Sequence, residues 1–300
     1  MSDLFERPVE VLRTESKKLA RENVLVLQSL GIPHRLVQAG GGYSIVVLAA
    51  SAAEAREQLA RYAEENAGWT PRRFTAPPIR SRGWRAAIVY GVVIAATYPI
   101  GQYGLLGWNF WEHGVMSASK VREGEWWRTV TALTLHADWS HLFGNLVFGA
   151  LFGVLTAHLL GSGLTWFCIV LAGALGNLAN AYVQDPSHRA IGASTAAFGA
   201  LGVMASYEWV RRHTLRLPPM RRFAPLLGGA LLLGFLGMSS QRTDVMAHVT
   251  GLAAGGLLGA GVAWTRLPES AGPRAQALLG VLALALPALA WACARAFGSA

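Results

Sequence analysis

Cysteine is almost missing from this chain: two in 300 residues, Cys168 and Cys293, both inside apolar runs. That excludes a disulfide framework and any CxxC metal site, and leaves packing thiols. Charge is scarce as well, at 14% of residues against 53% hydrophobic, with positive mean hydropathy. An ordinary soluble domain is excluded, and membrane spans are implied. The first residues, MSDLFERPVEVLRTESKK, hold no apolar stretch, so a cleaved signal peptide is not expected. No HExxH occurs and acidic side chains are few, which argues against a metalloprotease. The net charge of +9 comes from arginines set in short segments between apolar runs, a pattern of topology signals, with no nucleic acid as partner.

Residues 1–66 differ from the rest and read as a small cytosolic α+β domain. Leu19 to Leu30 reads as a helix, and Pro33–Val37 and Tyr43–Leu48 as strands joined by Gly40-Gly41-Gly42. Ser51 and Glu54 have capping-box spacing and open a second helix to about Asn66. No chemical constellation lies here, and the residues name no partner for this domain. Residues 67–85 form a basic linker with Pro71, Pro77 and Pro78. Residues 86–300 are expected to form the membrane domain, with seven apolar segments at about 86–106, 141–161, 163–183, 192–210, 224–239, 245–264 and 275–297. Each is near the ~20 residues needed to cross a bilayer. The first loop, Gly107 to Ser140, carries Trp108, Trp111, Trp126, Trp127 and Trp139, which suits the membrane–water interface.

Arginines set the orientation. Arg80, Arg82 and Arg85 precede span one; Arg211, Arg212, Arg216, Arg221 and Arg222 follow span four; Arg266 and Arg274 lie between spans six and seven. Alternation puts all three on one side, which the positive-inside rule makes cytoplasmic. The N-terminus is then cytoplasmic and the C-terminus external.

Spans two, four and six consequently start outside and run inward. His141 and Asn145 open the first of these, Ser194 the second and His248 the third, all at similar shallow depth. His248 shares a helix face with Gly251, Gly255 and Gly259, and Ser194 shares one with Phe198 and Gly202. Small residues let two membrane helices approach closely, so serine and histidine can meet. A neutral imidazole can then take the serine proton as general base. No carboxylate offers itself as a third member, which leaves a dyad. His141, Asn145 and the Ser194 N–H could stabilise an oxyanion. Each residue also has a plainer use: Ser194 in helix packing, His248 in an interhelical hydrogen bond, His141 and Asn145 as polar glue. A three-histidine metal set from His136, His141 and His248 is the competing chemistry. A transporter would need polar residues along the spans, and the charges are confined to loops and span ends.

Together, several motifs resemble the rhomboid intramembrane serine proteases. They are Trp127-Arg128, His136-Ala-Asp-Trp-Ser-His141-Leu-Phe-Gly-Asn145, Gly192-Ala-Ser194 and Ala247-His248-Val-Thr-Gly251 followed by Gly255. The resemblance covers about 86–264 and implies an all-α polytopic membrane protein, a six-helix core with a seventh C-terminal helix. It further implies a serine endopeptidase that needs no cofactor or metal. Such an enzyme cuts transmembrane protein substrates near their outer ends, in a bacterial inner membrane. By the same resemblance Ser194 is the nucleophile, His248 the base, and His141 and Asn145 the oxyanion donors. Gly192 shapes the loop before the serine, and Phe198 is the ring stacked on the histidine. Thr195 departs from the family's usual glycine after the serine, and either perturbs the oxyanion backbone or is accommodated. Inactive relatives bind membrane clients instead, which is the alternative function; they typically lack the serine or histidine that this chain keeps.

Overall fold

The computed structural model describes residues 7–67, 79–104, 107–215, 218–237 and 244–298. The chain divides into two compact units, Met1–Thr75 and Ala76–Ala300. The linker residues Pro71, Arg72, Arg73, Pro77 and Pro78 lie outside the described residues, as does most of the 239–244 loop.

The first unit runs β1 (Pro8–Thr14), α1 (Lys17–Ser29), β2 (His34–Ala39), β3 (Gly42–Leu48) and α2 (Ala52–Glu65). The antiparallel sheet has the order β1-β3-β2, and β1 carries an irregularity between Glu10 and Leu12. Leu27, Ile45, Val47, Ala55 and Leu59 form the core between the sheet and the helices. Gly40 and Gly41 turn the hairpin with φ of 58° and 83°, values that favour glycine. Two details depart from expectation. Strand β1 comes from the N-terminal stretch, where the sequence alone predicts no element. The capping box does not form, because Ser51 ends a short 3-10 turn and makes no side-chain cap. Ser16 supplies the side-chain cap instead, on α1, accepting from the Leu19 N–H.

The second unit opens with α3 (Trp84–Tyr103). The loop after it folds into α4 (Phe110–Gly114), β4 (Met116–Ser117), α5 (Ala118–Arg122) and α6 (Arg128–Thr131). Long helices α7 (Trp139–Leu160) and α8 (Ser162–Val183) follow, then β5 (Arg189–Ala190) and α9 (Ser194–Thr214). The chain continues through α10 (Pro219–Gly237), α11 (Val245–Trp264), the short α12 (Leu267–Ser270) and α13 (Pro273–Phe297). Five of these helices, α3, α7, α8, α11 and α13, are long and apolar enough to cross a membrane. Helix α9 is different in kind. It is rich in Ala, Gly, Ser and Thr, and thirteen of its residues are buried among neighbouring helices. A helix surrounded by protein does not need the greasy exterior that lipid demands.

Glycine sets the packing of α9. A Cβ on Gly251, Gly255 or Gly259 of α11 would stand 2.2, 2.0 or 2.3 Å from the carbonyl oxygens of Thr195, Gly199 and Val203. The contacts advance by four residues on each helix, so α9 and α11 run parallel with their backbones touching along one seam. Gly202 of α9 returns the contact against the Leu252 carbonyl.

The tryptophan-bearing loop is a folded element rather than a loose cover. Arg128 is fully buried, its guanidinium donating to the Glu112 and Val115 carbonyls at 2.7 and 3.0 Å and to the Glu125 carboxylate. Trp127 is buried with it, packed in a cluster with Ala290 and Ala294 of α13, whereas Trp126 and Trp139 stay exposed. Strand β4 pairs with β5, tying this loop to the segment that leads into α9.

Candidate active site

Gly192 lies at the centre of the polar cluster. Its φ is 112°, in the region that favours glycine, and its N–H donates to the Ala132 carbonyl at 2.9 Å. A Cβ there would stand 2.5 Å from His141 Nε2 and 3.6 Å from Asn145 Nδ2. The glycine thus lets two polar side chains of α7 reach the backbone just before Ser194.

Those two side chains are themselves held in place. Asp138 caps α7 by accepting from the His141 N–H at 2.8 Å. The His141 Nδ1 accepts from the Ala137 N–H at 3.4 Å, so in the neutral imidazole the proton sits on Nε2, the atom facing Gly192. Asn145 spends one amide hydrogen on the His141 carbonyl at 3.0 Å, and the other meets no acceptor among the described residues. Tyr90 fixes the Asn145 backbone by donating to its carbonyl at 2.8 Å. Beside them, His136 is 1% exposed, its ring 5.2 Å from that of His141. Burial, and second the neighbouring His141, push His136 down to about 4. Its Nε2 faces the Ala193 N–H at 3.5 Å.

Helix α9 begins at Ser194, and the Ala197 N–H is bonded to the Ala193 carbonyl, so the N–H groups of the first turn precede the intrahelical ladder. One turn on from Ser194, Phe198 stacks on the His248 imidazole with ring centroids 4.3 Å apart and planes 30° apart. His248 is itself buried, one turn before Gly251, where α11 touches α9 at Thr195. The seam and the ring stack bring His248 to the serine end of α9.

Thr195 is accommodated by its neighbours. Its methyl group sits in a slot between Gly176 of α8 and Gly251, each of which would meet it at 2.8 or 3.0 Å if it carried a Cβ. Of the three histidines with metal potential, His136 and His141 are adjacent, yet among the described residues no group of three or more His, Cys, Asp or Glu side chains is close enough to hold an ion.

Sequence reasoning missed one polar knot. Asp244 caps α11 by accepting from the Ala247 N–H at 3.0 Å, while its other oxygen accepts from Asn180 at 2.8 Å and meets His188 Nε2 at 2.7 Å. Burial alone would raise this carboxyl; the bonds from Ala247, His188 and Asn180 outweigh it and hold the group below the usual carboxylate range. The knot joins the start of the His248 helix to the segment ahead of Ser194. A capping Asp four residues before His248 was the signal available.

Comparison with known proteins agrees with this arrangement. A family described as the rhomboid domain matches residues 123–265. The putative rhomboid protease YdcA of Bacillus subtilis is 32% identical over 139 residues, 46% of this chain and 68% of that protein. The chain belongs to the rhomboid family. Rhomboid protease GluP of the same organism is 30% identical over 181 residues, 58% of this chain and 32% of that protein. Rhomboid-like protein 11 of the Arabidopsis thaliana chloroplast is 31% identical over 143 residues, 44% of this chain and 51% of that protein. Against these last two the chain therefore spans a third to a half of the relative's length. The rhomboid family consists typically of intramembrane serine proteases acting on membrane proteins within the bilayer, and this rhomboid is an integral membrane protein.

Proposed function

We propose that this chain is an intramembrane serine endopeptidase with a Ser194–His248 dyad. The observation that carries the reading is the stack of Phe198 on His248, one turn from Ser194 on the helix that α11 grips. In the reaction Ser194 Oγ attacks a substrate carbonyl while the His248 imidazole takes its proton. The oxyanion is held by the His141 Nε2–H, the second amide hydrogen of Asn145 and the Ser194 N–H. Gly192 gives these donors room, and Phe198 orients the imidazole. The imidazolium then protonates the leaving amine, and water, activated by the same histidine, hydrolyses the acyl-enzyme. No cofactor enters these steps.

The reading carries further parts. All seven long helices, including α9 and α10, cross the membrane, six as the core and α13 as an addition. The arginine-bearing loops lie in the cytoplasm of a bacterial cell, the C-terminus outside the inner membrane. Residues 1–66 are a separate cytosolic domain joined by the 67–85 linker. The substrate is a transmembrane protein cut near its outer end.

Cleavage of a single-span membrane protein in proteoliposomes tests the reading. Ser194→Ala and His248→Ala each lower turnover by about 10⁴ or more, and Asn145→Ala by roughly 10²-fold. Unchanged turnover in either dyad variant refutes the mechanism.

A further inference from the structure

An opening walled almost wholly by apolar side chains plays no part in that chemistry. Helices α3 and α13 stand on either side of α8 without packing extensively on one another, and a crevice of about 370 Å³ runs between them. Its walls include Val89 and Val93 of α3, Trp166 of α8, and Gly280 and Leu284 of α13. The rims face outward, with Val89 43% and Leu284 50% exposed. In a bilayer such an opening admits lipid, not water.

One end of the crevice is positively charged. Helices α3, α8 and α13 all begin there, each with a glycine as N-cap, although Ser81 accepts from the Gly83 N–H of α3 and Gln276 occupies the Leu164 N–H of α8. Ser81 and Ser162 meet at 2.7 Å at this end, and Gln276 bridges from α13 to the Leu160 carbonyl and the Leu164 N–H. Arg82 and Arg85 flank the entry to α3 and Arg274 sits in the first turn of α13, all three exposed. Three cations at the end where these helices begin are complementary to a phosphate. From Ala86 to Ile94 the crevice wall rises eight residues, roughly 12 Å at 1.5 Å per residue. That is most of the ~15 Å that one leaflet contributes to a ~30 Å hydrocarbon core.

We propose that this crevice binds an anionic phospholipid of the leaflet at the arginine end, phosphate against Arg82, Arg85 and Arg274, with one acyl chain lying between α3 and α13. The inner end of the crevice is lined by Ala193 and Ala196, the residues on either side of the Ser194–Thr195 pair. A bound chain therefore presses on the first turn of α9. The proposal stands whether or not the serine is reactive.

The test is native mass spectrometry of the full chain, delipidated in detergent and titrated with phosphatidylglycerol or phosphatidylcholine. Gly280→Phe fills the crevice, since a Cβ there meets only Gly163 at 3.8 Å and the ring extends into the gap. Gly261→Phe, where a Cβ meets nothing, is the control of equal mass. Wild type and the control retain phosphatidylglycerol in preference to phosphatidylcholine. Gly280→Phe binds either lipid about tenfold more weakly or worse, because the chain loses its apolar contact. The triple change Arg82→Gln, Arg85→Gln and Arg274→Gln lowers phosphatidylglycerol binding by about tenfold, to the phosphatidylcholine level. Three results overturn the proposal: Gly280→Phe binding like the control, the triple variant keeping its preference, or a wild-type mass of two chains with no lipid, which puts a second copy in the crevice.

Discussion

The two units of this chain build their interiors in opposite ways. In the first, Leu27, Ile45, Val47 and Leu59 fill the space between sheet and helices with bulky aliphatic groups. That is the solution water rewards, since each buried side chain contributes through area removed from solvent. In the second, the central contact is made by removing side chains: Gly251, Gly255 and Gly259 let the α11 backbone lie on that of α9. Lipid offers no hydrophobic reward for joining two apolar helices, so close backbone approach and dispersion take over. The consequence for chemistry is positional. A seam of touching backbones fixes the height of His248 against Ser194 more tightly than interleaved flexible side chains would.

The sharpest way to break this contrast is to add volume at the seam. Gly255→Leu forces α11 away from the Gly199 carbonyl, costs roughly 4 kcal/mol, and removes proteolysis together with thermal stability. Gly256→Ala one position along, where a Cβ meets nothing, keeps activity and raises helix stability slightly. Equal melting temperatures and turnover for the two variants in detergent would dissolve the distinction. In the first unit the rule reverses and loss of volume is what harms. Leu27→Ala costs about 3 kcal/mol there, read as lost hydrogen-exchange protection over residues 8–65, with proteolytic activity retained.

Acid probes the polar edge of the seam. His136 titrates near 6.5 when unfolded and near 4 when folded, so below 6.5 the unfolded state binds a proton that the folded state refuses. Stability is complete above that window and falls by about 1.5 kcal/mol between pH 6.5 and 5. In His136→Gln the melting temperature is flatter across that range; an unchanged slope would assign the acid sensitivity elsewhere. Asp244 acts lower, its contribution present above about pH 4 and lost as pH falls through its depressed folded value. Among the changes that harm, the smallest effect expected is Thr195→Gly, which empties the slot between Gly176 and Gly251 and costs about 1 kcal/mol in thermal unfolding while leaving proteolysis within a few fold.

Much of the membrane unit was legible because its signals are local. Long apolar runs mark helices within a few residues of where they lie, and the small-residue spacing at Gly251, Gly255 and Gly259 marks the seam. The α9 helix was legible as the small-residue run at 192–210, although burial in protein relieves it of the hydropathy that identifies lipid-facing spans. Strand β1 was missed because Glu10 and Arg13 interrupt its apolar residues, and only pairing with β3 makes it a strand. The slot for Thr195 is made by glycines from two other helices, and the His188–Asp244 contact joins residues 56 apart in sequence. Neither leaves a mark on its own stretch of chain. Arg128 is legible only as part of the Trp127-Arg128 motif, and the carbonyls of Glu112 and Val115 make it a buried anchor.

The most direct test of the central claim is labelling of the purified protein in detergent with a serine-directed fluorophosphonate. Wild type is expected to react, and folded Ser194→Ala and His248→Ala are not, because the serine is nucleophilic only with its imidazole. Labelling of His248→Ala at the wild-type rate, or none in folded wild type, would contradict the dyad.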